Sequence, residues 1–266
     1  MKKRGISFEF YYQLVTLLIS IILVRGTYAT VVRPRASAFM AETQRMAVSG
    51  GDIGGRNSVW VILTDYEQES CFMMMFWAFA ILAYKAVQII GQRRMLYTDL
   101  FAIPEGTRVL PEDTRDLGRR LQALGELQQR TLLPRVLTAA LHRFGSSRSV
   151  QDTANAVDSV CKAEGERMES ELSIIRYIAW AIPAVGFIGT VRGIGSALTQ
   201  AQKAMAGDIS GVTASLGTAF NSTLIALLIS LALMFAIHHL QLLQERFTRE
   251  TGEYADEHLI RHLHTE

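Results

Sequence analysis

The chain has 266 residues, is 49% hydrophobic and carries a formal net charge of +2, with a mean hydropathy of +0.18. That small charge, with no basic stripe interleaved with aromatics, argues against a nucleic-acid partner, and the positive hydropathy argues against an ordinary soluble domain. Cys71 and Cys161 share no metal-ligand spacing and read as two unpaired thiols.

The apolar residues fall in blocks, four of which approach the roughly 20 residues needed to cross about 30 Å of hydrocarbon. The first block, "FYYQLVTLLISIILV", covers Phe10–Val24 and extends to Val32, so residues 1–32 read as an N-terminal span. Residues 33–70 read as an external loop. The second span, residues 71–91, contains "CFMMMFWAFAILAYKAVQII". Residues 92–173 read as a charged, helical cytoplasmic domain. Within it the spacing puts Leu117, Leu121, Leu124 and Leu127 on one helical stripe. The stretch from Val150 starts polar and becomes apolar, which predicts a helix running unbroken into the membrane. Residues 174–240 hold the third and fourth spans, the latter being "GTAFNSTLIALLISLALMFAI", Gly217–Ile237. Residues 241–266 are amphipathic and read as a cytoplasmic C-terminal helix.

Basic residues flanking the spans set the orientation. Lys2, Lys3 and Arg4 precede the first span, and Arg93 and Arg94 follow the second. Both termini therefore belong in the cytoplasm, while Lys203 and Asp208 are the charges of the outer connection between the last two spans. The N-terminus also has the outline of a signal peptide ending at Ala29. Arg25 inside the cleavage region argues against that reading, and the rest of the topology is the same under both.

No enzyme signature is present: no Walker A loop, no HExxH and no GxSxG. "GFIGTVRGIG" does not fit the dinucleotide-binding pattern and follows no strand. His238 and His239 are adjacent, roughly 100° apart on a helix, and mark a membrane edge rather than a metal site. Neither catalytic residues nor a metal nor a cofactor is expected.

The third span is rich in small and polar residues. Gly186, Thr190, Gly193 and Ala197 share one helical face, and Pro183 removes one backbone hydrogen bond. In the fourth span Ala219, Thr223, Ala226 and Ser230 line a face, with Ser215, Asn221 and Ser222 nearby. Small faces let helices approach closely in lipid. Hydroxyls within a span either bond their own helix or line a hydrated path. Neither span contains an acidic residue, so ion movement would need a carboxylate from a partner.

The segments "IPAVGFIGTVRGI" and "LGTAFNSTLIALLISL", within roughly 164–235, resemble the MotA/TolQ/ExbB family of ion-channel subunits. The pattern consists of Pro183, Gly186, Gly189, Thr190, Val191, Gly193 and Ile194, followed by the hydroxyl-bearing fourth span. The resemblance implies an all-α membrane protein with four transmembrane helices, long cytoplasmic helical extensions and a MotA-like topology. It implies a multi-pass protein of the bacterial inner membrane, forming a homo-pentamer around two copies of a single-span MotB/TolR/ExbD-like partner that carries the membrane Asp. The complex would use the proton motive force, with sodium the alternative, to drive rotation and mechanical work. By the same resemblance Thr190 and Thr223 face the partner's Asp. Ser222 and Asn221 lie beside them, and Thr218 stands where ExbB-like members carry Glu. Pro183, Gly186, Gly189, Gly193, Ala219 and Ala226 would be helix-packing or partner-facing, offering a low-relief surface on which the inner helix slides. Arg192 should face away from Thr190. The alternative is a non-conducting membrane scaffold or assembly protein.

Overall fold

The computed structural model describes residues 8–48, 59–101, 103–104 and 106–264. Among these residues the chain is an all-α membrane protein, with one isolated backbone bridge, Val109 to Leu263, in place of any sheet. Four helices are long and apolar enough to span: Glu9–Thr43, Tyr66–Tyr97, Val150–Thr199 and Ser210–His262. Lys2, Lys3 and Arg4, on which the expected orientation partly rests, lie outside the described residues.

Helix α1 (Phe8–Thr27) is apolar on nearly every side, as a lipid-facing helix must be. Its few hydroxyls bond backward along the helix, Thr16 to the Tyr12 carbonyl at 2.9 Å and Ser20 to that of Thr16 at 2.8 Å. A wide π turn, Tyr28–Val32, leads directly into α2 (Arg33–Val48). The stretch expected to open as a loop at Arg33 is therefore helical for another sixteen residues. Pro34 explains both features. It has no N–H for the Thr30 carbonyl and its ring crowds the preceding turn. The wider turn relieves this, with the Arg33 N–H reaching the Tyr28 carbonyl. Beyond Pro34 the run is rich in Ala, Met, Glu, Gln and Arg, all good helix formers.

The remaining elements are α3 (Val59–Ile62), α4 (Tyr66–Arg93), α5 (Thr114–Gln122), α6 (Glu126–Gln129), α7 (Leu132–Ser147), α8 (Val150–Glu171), α9 (Ser173–Thr199), α10 (Ala201–Met205) and α11 (Ser210–His258). The helix expected to run unbroken from Val150 is interrupted at one residue. Leu172 keeps right-handed dihedrals, but its N–H takes the nearer Glu169 carbonyl at 3.1 Å, a tightened turn between α8 and α9. The leucine stripe is also shorter than its spacing predicts. Leu117 and Leu121 are buried, but α5 ends at Gln122 and the extended Gly125 starts a new short helix, α6, in which Leu127 is 82% exposed.

The chain divides into two compact units, Met1–Leu82 with Ile174–Ile237, and Ala83–Ser173 with His238–Glu266. In the first unit the spans pack antiparallel. Tyr12 donates to the Ala80 carbonyl at 3.1 Å and Trp77 to that of Gln13 at 2.9 Å, while Arg25 and Arg33 reach Glu69 at 3.3 and 2.6 Å.

The second unit has its own core. One face of α7, Leu133, Val136, Leu137, Ala140 and Phe144, is buried as the helix packs against α5 and α8. The Ser149 hydroxyl caps α8 by accepting from the Asp152 N–H. An ion-pair ladder runs from Arg135 to Glu164, Arg167, Glu171 and Lys85, with contacts of 2.8, 3.5, 3.1 and 2.6 Å. Tyr254 closes the irregular stretch before α5, donating to the Thr98 carbonyl at 3.0 Å and accepting from the Leu100 N–H at 3.1 Å.

Candidate functional site

The site lies where α9 and α11 cross in the first unit. They run antiparallel, Gly193 opposite Ala219, Gly189 opposite Ser222, and Gly186 opposite Ala226. A Cβ at Gly193 would stand 2.6 Å from the Ala219 Cβ and one at Gly189 2.8 Å from the Ser222 Cβ, while one at Gly186 would overlap the Ala226 Cβ. Only glycine admits so close an approach. The small face of α9 is thus filled by the chain's own α11 and does not lie open as a surface for a sliding partner helix. Close approach wins because Ala219 and Ala226 offer methyl groups at the two points where a larger side chain would hold the backbones apart.

Pro183 lies inside α9 and leaves the Ala179 carbonyl without its usual N–H donor. The Ser230 hydroxyl of α11 donates to that carbonyl at 3.0 Å. No water is available from lipid to do this, so the partner must come from within the bundle.

This close packing brings Thr190 and Thr223 into direct hydroxyl contact. Thr190 also reaches the Ala219 carbonyl at 3.0 Å, and Thr223 reaches that of Gly186 at 3.1 Å. The bond from Thr190 back to its own helix, at the Gly186 carbonyl, is longer at 3.5 Å. Two hydroxyl protons therefore face two cross-helix carbonyls and each other's oxygens. Acceptors outnumber protons, so the cluster can take a further hydrogen-bond donor, such as water, hydronium or a protonated carboxyl. Both threonines are only half-buried within the chain. Ser222 is buried beside them, and Thr218 and Asn221 are half-buried on the adjoining turns of α11.

Residues 128–253 match the family model for the MotA/TolQ/ExbB proton channel family. The chain belongs to that family. A comparison with curated proteins and one with solved structures each give no match. As a MotA/TolQ/ExbB protein it is a multi-pass membrane protein and an ion-channel subunit of the stator type, a kind that works with a MotB/ExbD-like partner and is no known class of enzyme. The matched region takes in all of α7, α8, α9 and α10 and most of α11, so both threonines fall inside it.

Charges of the second span complete the site, and nothing in the family pattern points to them. Arg192 meets Glu67, in the first turn of α4, at 2.8 Å and Asp65, just before that helix, at 3.4 Å. It faces away from Thr190 as its position two residues on requires, but its pairing with these acids has no signal in local spacing, because more than a hundred residues separate the partners. Burial pushes the Asp65 carboxyl upward, while the Arg192 guanidinium draws it back down. Glu69, two residues beyond Glu67, is 1% exposed and held by Arg25 and Arg33. Among the described residues no three of the His, Cys, Asp and Glu side chains gather to hold a metal ion, and both cysteines are free and buried.

Proposed function

We propose that the chain is the ring-forming subunit of an energy-transducing motor in the bacterial inner membrane. Five copies enclose two copies of a single-span MotB/TolR/ExbD-like partner, and the partner supplies a membrane Asp to the Thr190–Thr223 pair. Protons are the coupling ion and sodium the alternative. Both termini lie in the cytoplasm, in keeping with the basic residues at Arg93 and Arg94. The single observation that carries the reading is the hydroxyl pair itself. It has acceptor capacity to spare, sits between two spans, and belongs to spans that bring no carboxylate of their own.

Reconstitution of the chain with its co-purified partner in liposomes tests this. Thr190→Val and Thr223→Val keep the side-chain shape, remove the hydroxyls and are expected to abolish proton flux while leaving the assembly intact. Undiminished flux in both variants, or wild-type liposomes that pass no ion, would move the assignment to a non-conducting scaffold. Flux that requires sodium would change the coupling ion and keep the remainder.

A further inference from the structure

From Leu127 to Gln151 the chain carries Arg130, Arg135, His142, Arg143 and Arg148 and no Asp or Glu, although its net charge is only +2. This run includes α7, in the second unit. Between α7 and α5 lies a cleft of about 830 Å³, a volume in the range of small-molecule sites. Arg115, Arg119, His142 and Arg148 line it, against one carboxylate, Glu112.

Two glycines shape the cleft. At Gly145 a Cβ would lie 3.0 Å from the Thr114 Oγ1, so α5 and α7 approach closely at that end. At Gly118, inside α5, a Cβ would meet nothing within 4 Å. Packing does not call for a glycine there, and glycine within a helix is unfavourable relative to alanine. What Gly118 does is keep the wall open beside Arg115 and Arg119, which stand one turn apart on α5. Arg148 ends α7 with φ at 51°. Among the described residues neither Arg115 nor Arg148 has an ion-pair partner. Arg119 has only Asp116, at 3.5 Å, an exposed pair that water weakens. The hydroxyls of the cleft already donate to their own helix, Thr138 to the Pro134 carbonyl at 2.7 Å and Ser146 to that of Arg143 at 3.0 Å. With Glu112 they are left to accept.

We propose that the cleft binds a soluble small molecule of nucleotide size that carries two or more phosphates and free hydroxyls. Guanidinium groups hold phosphate through paired N–H donors. A row of two on α5, joined by Arg148, suits a chain of phosphates better than a single carboxylate. Glu112, Thr138 and Ser146 accept from the ligand's hydroxyls. No aromatic ring but that of His142 lines the cleft, so a base adds little to recognition. A lipid headgroup offers the same phosphate chemistry, but the position of the cleft disfavours it. Arg148 adjoins Ser149, which caps the Val150 end of α8. About 30 Å of helix separates that end from Glu171, beyond which the chain enters its third span. Nothing in this site depends on the proton-channel reading.

The competing reading is a solvated basic surface, which attracts any anion without regard to shape. Isothermal titration calorimetry on the full chain in phosphatidylcholine nanodiscs, with magnesium-free ATP and with sulfate, separates the two. ATP is expected to bind saturably, and sulfate about tenfold more weakly or less. Arg115→Gln combined with Arg148→Asn, both at exposed positions, should weaken ATP about tenfold or more. Gly118→Leu fills the open wall with a better helix former. It should weaken ATP by a similar factor while leaving the unfolding temperature unchanged or raised, which loss of a solvated surface does not do. Absence of saturable ATP binding, equal binding of sulfate, or wild-type affinity in either variant overturns the proposal. Nanodiscs containing phosphatidylglycerol complete the series. Unchanged ATP affinity in them supports the soluble source, and competition by that lipid would make the ligand a headgroup and overturn it.

Discussion

The hydroxyl of Ser230 occupies the backbone-donor role that Pro183 leaves empty, bonding the Ala179 carbonyl at 3.0 Å from the neighbouring helix. A residue that weakens one helix is thereby turned into a cross-link between two. Ser230→Ala should lower stability by about 1 kcal/mol. In a Pro183→Ala background the same change should cost much less, because an alanine N–H would serve the carbonyl. Unfolding by SDS titration, followed through tryptophan fluorescence, gives this double-mutant cycle. Equal costs in both backgrounds would mean the hydroxyl does not replace the missing donor.

The glycines of α9 are not equivalent. A Cβ at Gly193 meets the Ala219 Cβ at 2.6 Å, whereas one at Gly195 meets nothing within 4 Å. Gly193→Ala is therefore expected to destabilise the helix pair by about 1–3 kcal/mol. Gly195→Ala should stabilise it by about 0.5–1 kcal/mol through helix propensity. The same titration reads both. If the two substitutions behave alike, close packing of α9 on α11 is not what the glycines provide.

Asp65 gives the fold a pH dependence of defined sign. Its carboxyl is raised from 3.8, chiefly by burial, so the folded state binds its proton more tightly than the unfolded chain does. The stabilisation this supplies is complete below 3.8 and is lost as pH rises through the raised value. Asp65→Asn should flatten the stability curve across that window and leave the variant no less stable at neutral pH. Thermal unfolding between pH 3 and 7 measures it, and a variant curve parallel to the wild type would contradict the assignment.

The four spans and the small-residue faces were legible because each is written in local spacing: an apolar run of sufficient length, or a repeat of three and four residues. That Thr190 and Thr223 touch each other was not, since the resemblance turned both toward a partner's Asp. Nor were the partners of those features. Nothing near Pro183 names Ser230, and nothing near Arg192 names Glu67, because such pairs depend on which helix comes to lie beside which. The absence of acid from the last two spans is plain in the sequence, yet it conceals that α4 packs the stem of Glu67 against Gly189 and its carboxylate on Arg192. At Leu127 local spacing misled, since a stripe continues only while the helix does and α5 ends at Gln122. At Arg33 it misled in the opposite sense, because charge and proline suggested a loop where good helix formers resumed after one widened turn.

That widened turn has a consequence for how the protein can change over generations. Val24, Tyr28, Val32 and Ala36 are all buried, at every fourth residue, whereas an α-helix of 3.6 residues per turn drifts about 40° over each such step. The extra residue in the turn takes up the drift and keeps one face inward. Deleting one residue between Tyr28 and Val32 would put the same four residues at i, i+4, i+7 and i+11 of an ordinary helix, still on one face, and leave Arg33 on the side of Glu69. Homologous lineages are therefore expected to tolerate loss of one residue within this turn, whereas a deletion within α1 or α2 would turn all that follows by about 100°.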